Sequence, residues 1–416
     1  MRPYVLRQIV LIDKLAILWF ATIFSLSSNL LKVNLGMISL SPAVIIPLLG
    51  LVFFPLVRRP FLNAHLSDRK FKYTVLATLA FLSLMIIQTI LSDWPMEARS
   101  ELLKTFLFFF LTHSFFAMML KTQNLRSAIR LSLLISAIFI AYLAYLYLYK
   151  FGVSFIGNEL SWPDQVGRNT LSLFVFTIII ISTALIIESR GAGSRFFDFP
   201  LLLFFVIIGL LIGSRFTIFF PALFFIFIFL KQLFKIPTKK ELLFIVISGL
   251  IVVLLLIIGY TQETVVSEYF IVYDRILNMG ETGGDLNRLT LINVGFDCFL
   301  ENGILFGHGV KDYLSCVESS SIGSDLVLHN EHLSILNNVG IVGYALWVFI
   351  ISTYSKIFSF SRENYTYRLG VIIFLGSLLI VDAYNSPIFA LLLAFSRLEW
   401  ARSKGITPWK YKVGYR

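Results

Sequence analysis

The chain has 416 residues, 57% of them hydrophobic and only 14% charged, with a mean hydropathy of +0.83. Soluble domains carry about 25% charged residues, so composition excludes an ordinary soluble protein. The formal charge of +11 does not argue for nucleic acid, because the basic residues recur in short clusters between apolar segments, as membrane topology requires.

In chain order, the opening "MRPYVLRQIVLIDKLAILWFATIFSLSS" joins a basic start to a long apolar run with no small-residue cleavage site. It predicts a retained first span and not a signal peptide. Apolar runs of spanning length then recur throughout. Twelve spans are expected near 9–28, 41–57, 74–92, 102–120, 127–149, 169–187, 196–213, 216–234, 241–260, 337–355, 369–383 and 387–401. The last two are short enough for a tilted or re-entrant hairpin. The fold class is therefore an all-α integral membrane protein. Its expected parts are nine transmembrane helices over 1–261, one large outer loop over 262–330, and three further helices with a tail over 331–416.

The loops set the orientation. Of the 35 Lys and Arg, nine fall in one set of loops: Lys32, Arg99, Lys104, Lys150, Arg168, Arg215, Arg275, Arg288 and Lys311. Arg397 lies within the last span, and the remaining 25 fall in the alternate set, counting Lys14 just inside the first span. The positive-inside rule then puts both termini in the cytoplasm and the 262–330 loop outside. Within that loop, "GGDLNRLTLINVGFDCFLENG" reads as a helix. Asp285 is its candidate cap, Leu289, Ile292, Phe296 and Phe299 recur at helical spacing, and Gly303 closes it. Such an amphipathic helix lies against the bundle or in the bilayer interface. The loop holds both cysteines, Cys298 and Cys316. Two readings stand: a disulfide formed in an oxidising exterior, or a Cys298 that simply packs the apolar face.

The chain has no phosphate-binding Gly-Lys-Ser/Thr loop and no dinucleotide fingerprint, so any work it does draws on its substrate or a gradient. The outward arginines carry more information. Arg215 in "LLIGSRFTIFF" sits between two apolar spans with hardly any loop around it, and Arg168 in "DQVGRNTLSLF" opens a span the same way. A charge near the bilayer needs a partner or a functional reason. One reading is a topological anchor snorkelling to the headgroups; the other is a guanidinium that binds an anionic substrate group. Arg288 is expected in the first turn of the loop helix, where a cation opposes the macrodipole, which suggests an external anion. Arginines gathered near the outer face suit a pyrophosphate, because the planar fork meets phosphate oxygens bidentately.

His329 and His332 in "DLVLHNEHLSILNNVGIVG" are three residues apart at the mouth of an apolar helix. With His308 in "LFGHGVKDY" they have a conceivable zinc spacing, but the pair lacks His-Glu-x-x-His spacing and has no neighbouring cysteine pair. A helix-cap region with a polar histidine is the plain reading. The chemical reading makes His329 a general base near the membrane surface, with Glu331 or Asp325 orienting it.

At this point "NRLTLINVGFDCFLENGILFGHGVKDY" followed by "LHNEHLSILNNVGIVG" resembles the signature region of the bacterial O-antigen ligase and polymerase superfamily. In that family an arginine-led helix precedes a Gly-x-Gly turn, and a His-Asn pair then opens a span with Gly-x-x-Gly near its start. "GSRFTIFFP" matches a second feature, an arginine at an outer junction with a proline soon after. The motifs cover about 287–343 and 213–221; elsewhere only the hydropathy agrees. The resemblance implies transfer of a glycan from undecaprenyl pyrophosphate to an acceptor hydroxyl at the periplasmic face of the bacterial inner membrane. No nucleotide, metal or other cofactor is implied. The acceptor is lipid A–core for a ligase and a lipid-linked repeat unit for a polymerase. Carried over by motif, Arg215 and Arg288 hold the pyrophosphate, His329 aligns or deprotonates the acceptor, and Asn330 orients. Arg168 and Lys311 are added here as substrate-binding candidates on their position alone. His308 within the Gly-x-Gly turn is no family requirement.

Ligase is slightly favoured over polymerase. A transporter or flippase for lipid-linked sugars is the alternative from another class. Such proteins show internal repeats and intramembrane charges in several spans, and neither pattern is evident here.

Overall fold

A computed structural model describes residues 33–35, 38–40, 69–92, 96–121, 125–151, 168–188, 192–211, 215–233, 283–309, 316, 330–355, 365–379 and 387–403. Two three-residue strands, β1 (Val33–Leu35) and β2 (Ile38–Leu40), pair antiparallel with Asn34 opposite Ser39. The rest of the described chain forms helices and the short turns that end them. In order these are α1 (Arg69–Leu91), α2 (Met96–Lys121), α3 (Leu125–Phe151), α4 (Arg168–Glu188), α5 (Ala192–Leu211) and α6 (Arg215–Leu233). They continue with α7 (Gly283–Asn302), α8 (Glu331–Ser355), α9 (Tyr365–Ser377) and α10 (Pro387–Ser403). All but α7 coincide with an expected span; α7 is the expected loop helix. The spans expected near 9–28, 41–57 and 241–260 lie outside the described residues.

Among the described residues, three helical runs are long and apolar enough to cross a membrane: Lys72–Leu91, Leu125–Tyr142 and Glu331–Ser355. Shorter apolar stretches occupy α4, α5, α6 and α10. This is a helical membrane protein.

The chain divides into two compact units, Met1–Ser132 with Gly283–Arg416, and Leu133–Thr282. In the second unit α4 packs against both α5 and α6, and α5 against α6. From Leu173 to Ile186 the apolar side chains of α4 are all buried, as expected of a helix that is hydrophobic all round. Phe176 meets Phe220 and Phe224 of α6 edge-on or tilted, with centroids 6.0 and 6.1 Å apart.

In the first unit α1 packs on α8 and on α2, and α10 packs on α2, α8 and α9. A run of stacked rings ties three of these together. Phe389 of α10 stacks on Phe374 of α9 at 4.5 Å and on Phe108 of α2 at 5.8 Å, and Tyr367 stacks on Phe395 at 5.4 Å. The C-terminal end of α8 is closed by α10. Ser396 Oγ donates to the Ser355 carbonyl at 2.8 Å, and Arg397 reaches the Thr353 carbonyl at 3.4 Å. These are carbonyls that a helix end leaves without intrahelical partners, and the guanidinium also suits the negative end of the dipole.

α8 is not one straight span. Gly340 has φ 67° and ψ −173°, far from helical values. In an unbroken helix His332 and Trp347 would lie about 22 Å apart along the axis. Their rings are 5.6 Å apart, and His332 Nδ1 is 2.9 Å from the Tyr344 hydroxyl. The chain therefore turns back at Gly340, so that a short arm, 331–339, folds against the longer arm, 341–355. The length that qualifies α8 as a span counts both arms.

Breaking a helix in an apolar setting strands backbone groups that must find partners. The segment "GILFGHG", Gly303 to Gly309, supplies them. The Ile341 and Val342 amides, whose helical acceptors would be the Asn337 and Asn338 carbonyls, donate instead to the Ile304 carbonyl at 2.9 Å and the Leu305 carbonyl at 3.1 Å. The released Asn337 carbonyl accepts from the His308 amide at 2.9 Å. This strap sits so close that a Cβ on Gly340 would lie 2.4 Å from the Leu305 carbonyl carbon and oxygen. A Cβ on Gly307 would lie 2.5 Å from the Asn338 carbonyl carbon.

Gly340→Ala should therefore fail twice, on φ and on contact with backbone that has no room to yield. At φ 67° and ψ −173°, a region essentially reserved for glycine, a side chain costs about 1–3 kcal/mol, and the clash adds to it. In a thermal melt of the purified protein, Gly340→Ala should unfold well below the parent. Gly376→Ala, where a Cβ meets nothing within 4 Å, should not.

Candidate active site at the short arm of the broken helix

The short arm of α8 is held at both ends. At its start Asn330 is the N-cap, its Oδ1 accepting the Leu333 amide at 3.1 Å. The Glu331 amide donates to the Leu378 carbonyl at 2.9 Å, and His332 Nε2 donates to the Leu375 carbonyl at 2.9 Å. Leu375 and Leu378 stand at the C-terminal end of α9, so orphan donors of one helix satisfy acceptors of another, positive dipole end to negative. At its other end Asn337 Nδ2 donates to the Gly295 carbonyl of α7 and to the Leu333 carbonyl of its own arm, both at 2.9 Å.

The arm rests on α7 through a small apolar cluster of Leu291, Cys298, Phe299 and Leu333, with Ile292, Val294, Cys316 and Leu336 at its edge. The buried face of α7 is thus one step off the expected stripe. Phe299 is buried as its spacing suggests, but Phe296 is 51% exposed and Leu291 takes the inward place. The helix also begins earlier than expected, at Gly283, which makes Arg288 its sixth residue. Arg288 is past the first turn, where the macrodipole acts most strongly, so that part of the argument for an external anion falls.

Cys298 and Cys316 form a disulfide with Cα atoms 6.2 Å apart. Both earlier readings hold together, because Cys298 is bonded and also 3% exposed within the apolar cluster. The crosslink brackets the strap, and His308 Nε2 donates to the Cys298 carbonyl at 2.9 Å from inside the closed loop. His308 is thereby a fastener between the strap and α7.

The ring of His332 is fully committed. A carbonyl accepts only, so Nε2 carries the proton toward Leu375 and Nδ1 takes the Tyr344 hydroxyl proton. Tyr344 stacks on Trp347 at 5.9 Å beneath it. These bonds leave His332 no lone pair for zinc, and His308 is turned toward a carbonyl. Among the described residues no group of three His, Cys, Asp or Glu is placed to hold a metal.

Of the residues singled out in the sequence, Asn330 is described in full, as the cap. Arg168 and Arg215 are the first residues of α4 and α6, as expected of span-opening arginines, and Pro221 lies within α6. Nothing is described of their side chains or of the Arg288 side chain. His329 and Lys311 lie outside the described residues, as does Asp325. The strap's interlock with Gly340 was not foreseen. Its signal was present, however, in the conjunction of Gly-x-Gly with a glycine inside an apolar helix.

Residues 199–348 match the family model described as O-Antigen ligase. The match spans about a third of the chain and takes in Arg215, Arg288, Lys311, His329 and Asn330; Arg168 lies before it. No curated protein matches the chain. The matched segment contains α7, the strap and most of α8, the parts that build the folded arm. Over that segment the chain is similar to the O-antigen ligase family, and its helical membrane architecture agrees with that likeness.

Proposed function

We propose that the chain catalyses inverting glycosyl transfer at the periplasmic face of the bacterial inner membrane. The donor is a glycan on undecaprenyl pyrophosphate, and the favoured acceptor is lipid A–core, in lipopolysaccharide synthesis. The observation that carries this reading is the family match across 199–348, which unites the arginine and histidine candidates in one segment. Apolar run length supports twelve spans, and the loop charges support cytoplasmic termini. The Cys298–Cys316 disulfide supports an outward 262–330 loop, because such bonds persist in oxidising compartments.

The proposed chemistry assigns each residue one task. The acceptor hydroxyl attacks the anomeric carbon from the face opposite the pyrophosphate and passes its proton to His329. The anomeric C–O bond breaks, and its electron pair leaves with the pyrophosphate. Arg215 and Arg288 offset the charge that gathers on that leaving group. Arg168 and Lys311 serve substrate binding. Asn330 Oδ1 is spent on the helix cap, so Asn330 acts by fixing the chain at the residue that follows His329. The engagement of both His332 nitrogens favours His329 over His332 as the base. No nucleotide or metal enters, since the glycosyl pyrophosphate bond is already activated. Polymerisation of lipid-linked repeat units is the second reading, with the same donor chemistry and a different acceptor.

His329→Ala should abolish transfer while the protein still inserts and unfolds at the parent's temperature; substantial transfer by that variant removes His329 as the base. Arg288→Lys should also fail in a donor-consumption assay, because a point charge does not reproduce a bidentate fork. EDTA should leave the rate unchanged, and inhibition would revive a metal reading. Electrophoresis of the surface polysaccharide from a strain lacking the gene separates the subtypes. Bare core with long chains still on the carrier lipid means ligase; core bearing a single repeat unit means polymerase.

A further inference from the structure

The strap that repairs the helix break has an unusual combination of properties. Its three central side chains are apolar and exposed, Ile304 at 41%, Leu305 at 61% and Phe306 at 53%. Surface loops normally leave their carbonyls to water and their tips to polar residues. Here four successive carbonyls are all taken by protein donors. The Gly303 carbonyl accepts from the Gly307 amide at 2.7 Å, Ile304 from the Ile341 amide, Leu305 from the Val342 amide, and Phe306 from Gln88 Nε2 at 2.8 Å. Non-helical backbone needs that arrangement at a depth where water is scarce. A loop in the aqueous phase has no such need.

The position of the strap agrees. Gln88 lies in the last turn of α1, and a Cβ on Gly309 would sit 3.2 Å from the Gln88 carbonyl and 3.3 Å from Ser92 Oγ. The strap therefore lies against the C-terminal end of a helix long and apolar enough to span. Ile87, Ile90 and Leu91 on that end of α1 are exposed, and so are Ile341 and Val342, whose amides hold the strap. A soluble surface seldom offers so continuous an apolar area without an occupant. Among the described residues, neither 87–92 at that end of α1 nor 303–307 of the strap carries a charged side chain.

We infer that Ile304–Phe306 is seated in the acyl layer of the bilayer at the C-terminal end of α1, so that this part of the outer loop binds lipid chains. Phospholipid acyl chains are the partner its chemistry fits: three bulky apolar groups, no ionisable group between Gly303 and Gly307, and a backbone whose acceptors are already satisfied. The strap then sets the depth of the folded arm, because the same hydrogen bonds that bury its carbonyls fix the break at Gly340. This inference stands on packing alone and survives if the proposed transfer chemistry fails.

The two native cysteines are joined to each other, so a single added cysteine can be labelled selectively. The full-length chain carrying Leu305→Cys is labelled with a nitrobenzoxadiazole fluorophore and reconstituted in palmitoyl-oleoyl phosphatidylcholine vesicles. Asp297→Cys, on the exposed side of α7, is the aqueous control. Ile304→Cys repeats the measurement should the first variant not fold. The expected result is several-fold stronger quenching of the 305 label than of the 297 label by lipids bearing a nitroxide on the acyl chain. Iodide in the buffer should give the reverse order. Iodide quenching of the 305 label equal to that of the 297 label would overturn the inference. Shielding of the 305 label from both quenchers would overturn it too, by showing protein and not lipid over the strap.

Discussion

The structure of the first unit depends on one backbone exchange. Gly340 takes a left-handed conformation that ends one helical arm and begins another, and this leaves the Ile341 and Val342 amides and the Asn337 carbonyl without helical partners. The strap from Gly303 to Gly309 answers all three with its own backbone. No side chain at 340 or 307 would permit that approach. From this contact follow the fold-back of 331–339, the meeting of His332 with Tyr344 and Trp347, and the seating of Leu333 on α7. The helix end at α9 and the disulfide at the far side of the strap then hold what the exchange has placed.

Much of this was legible in the sequence and some of it was not, for identifiable reasons. Hydropathy located nine of the described helices because apolar run length is a direct consequence of bilayer thickness. A cap region at the mouth of α8 was legible, but not that Asn330 is the capping residue, because an Asn beside a histidine reads equally as an orienting group. The turn back at Gly340 was not, since a glycine inside an apolar helix reads equally as a close-packing site; only its contact with Leu305 separates the two. The face of α7 was misjudged by one step because Phe296 is as apolar as Leu291, and spacing alone does not say which of two overlapping stripes meets a partner. The disulfide stayed open for a similar reason: eighteen residues of separation allow it, but only two Cα atoms brought 6.2 Å apart establish it.

The function rests on a different kind of support. The match of residues 199–348 to the O-Antigen ligase model, with the helical membrane architecture, supports glycosyl transfer as the class of chemistry. The division of labour among Arg215, Arg288 and His329 is a proposal built on motif position. The structure contributes to it by subtraction. It occupies both nitrogens of His332, turns His308 into a fastener and spends the Asn330 side-chain oxygen on a cap.

The most direct test is to follow the carrier lipid. The purified full-length protein is reconstituted in vesicles with a glycan on undecaprenyl pyrophosphate, a lipid A–core acceptor and no nucleotide, and free undecaprenyl pyrophosphate is measured against glycan transferred. The account predicts release in step with transfer when ligation is the activity. If lipid A–core stays inert, it predicts release when lipid-linked repeat units serve as acceptor. A donor that reaches the opposite leaflet with its glycan still attached, and no carrier released with either acceptor, would contradict it and make the protein a transporter.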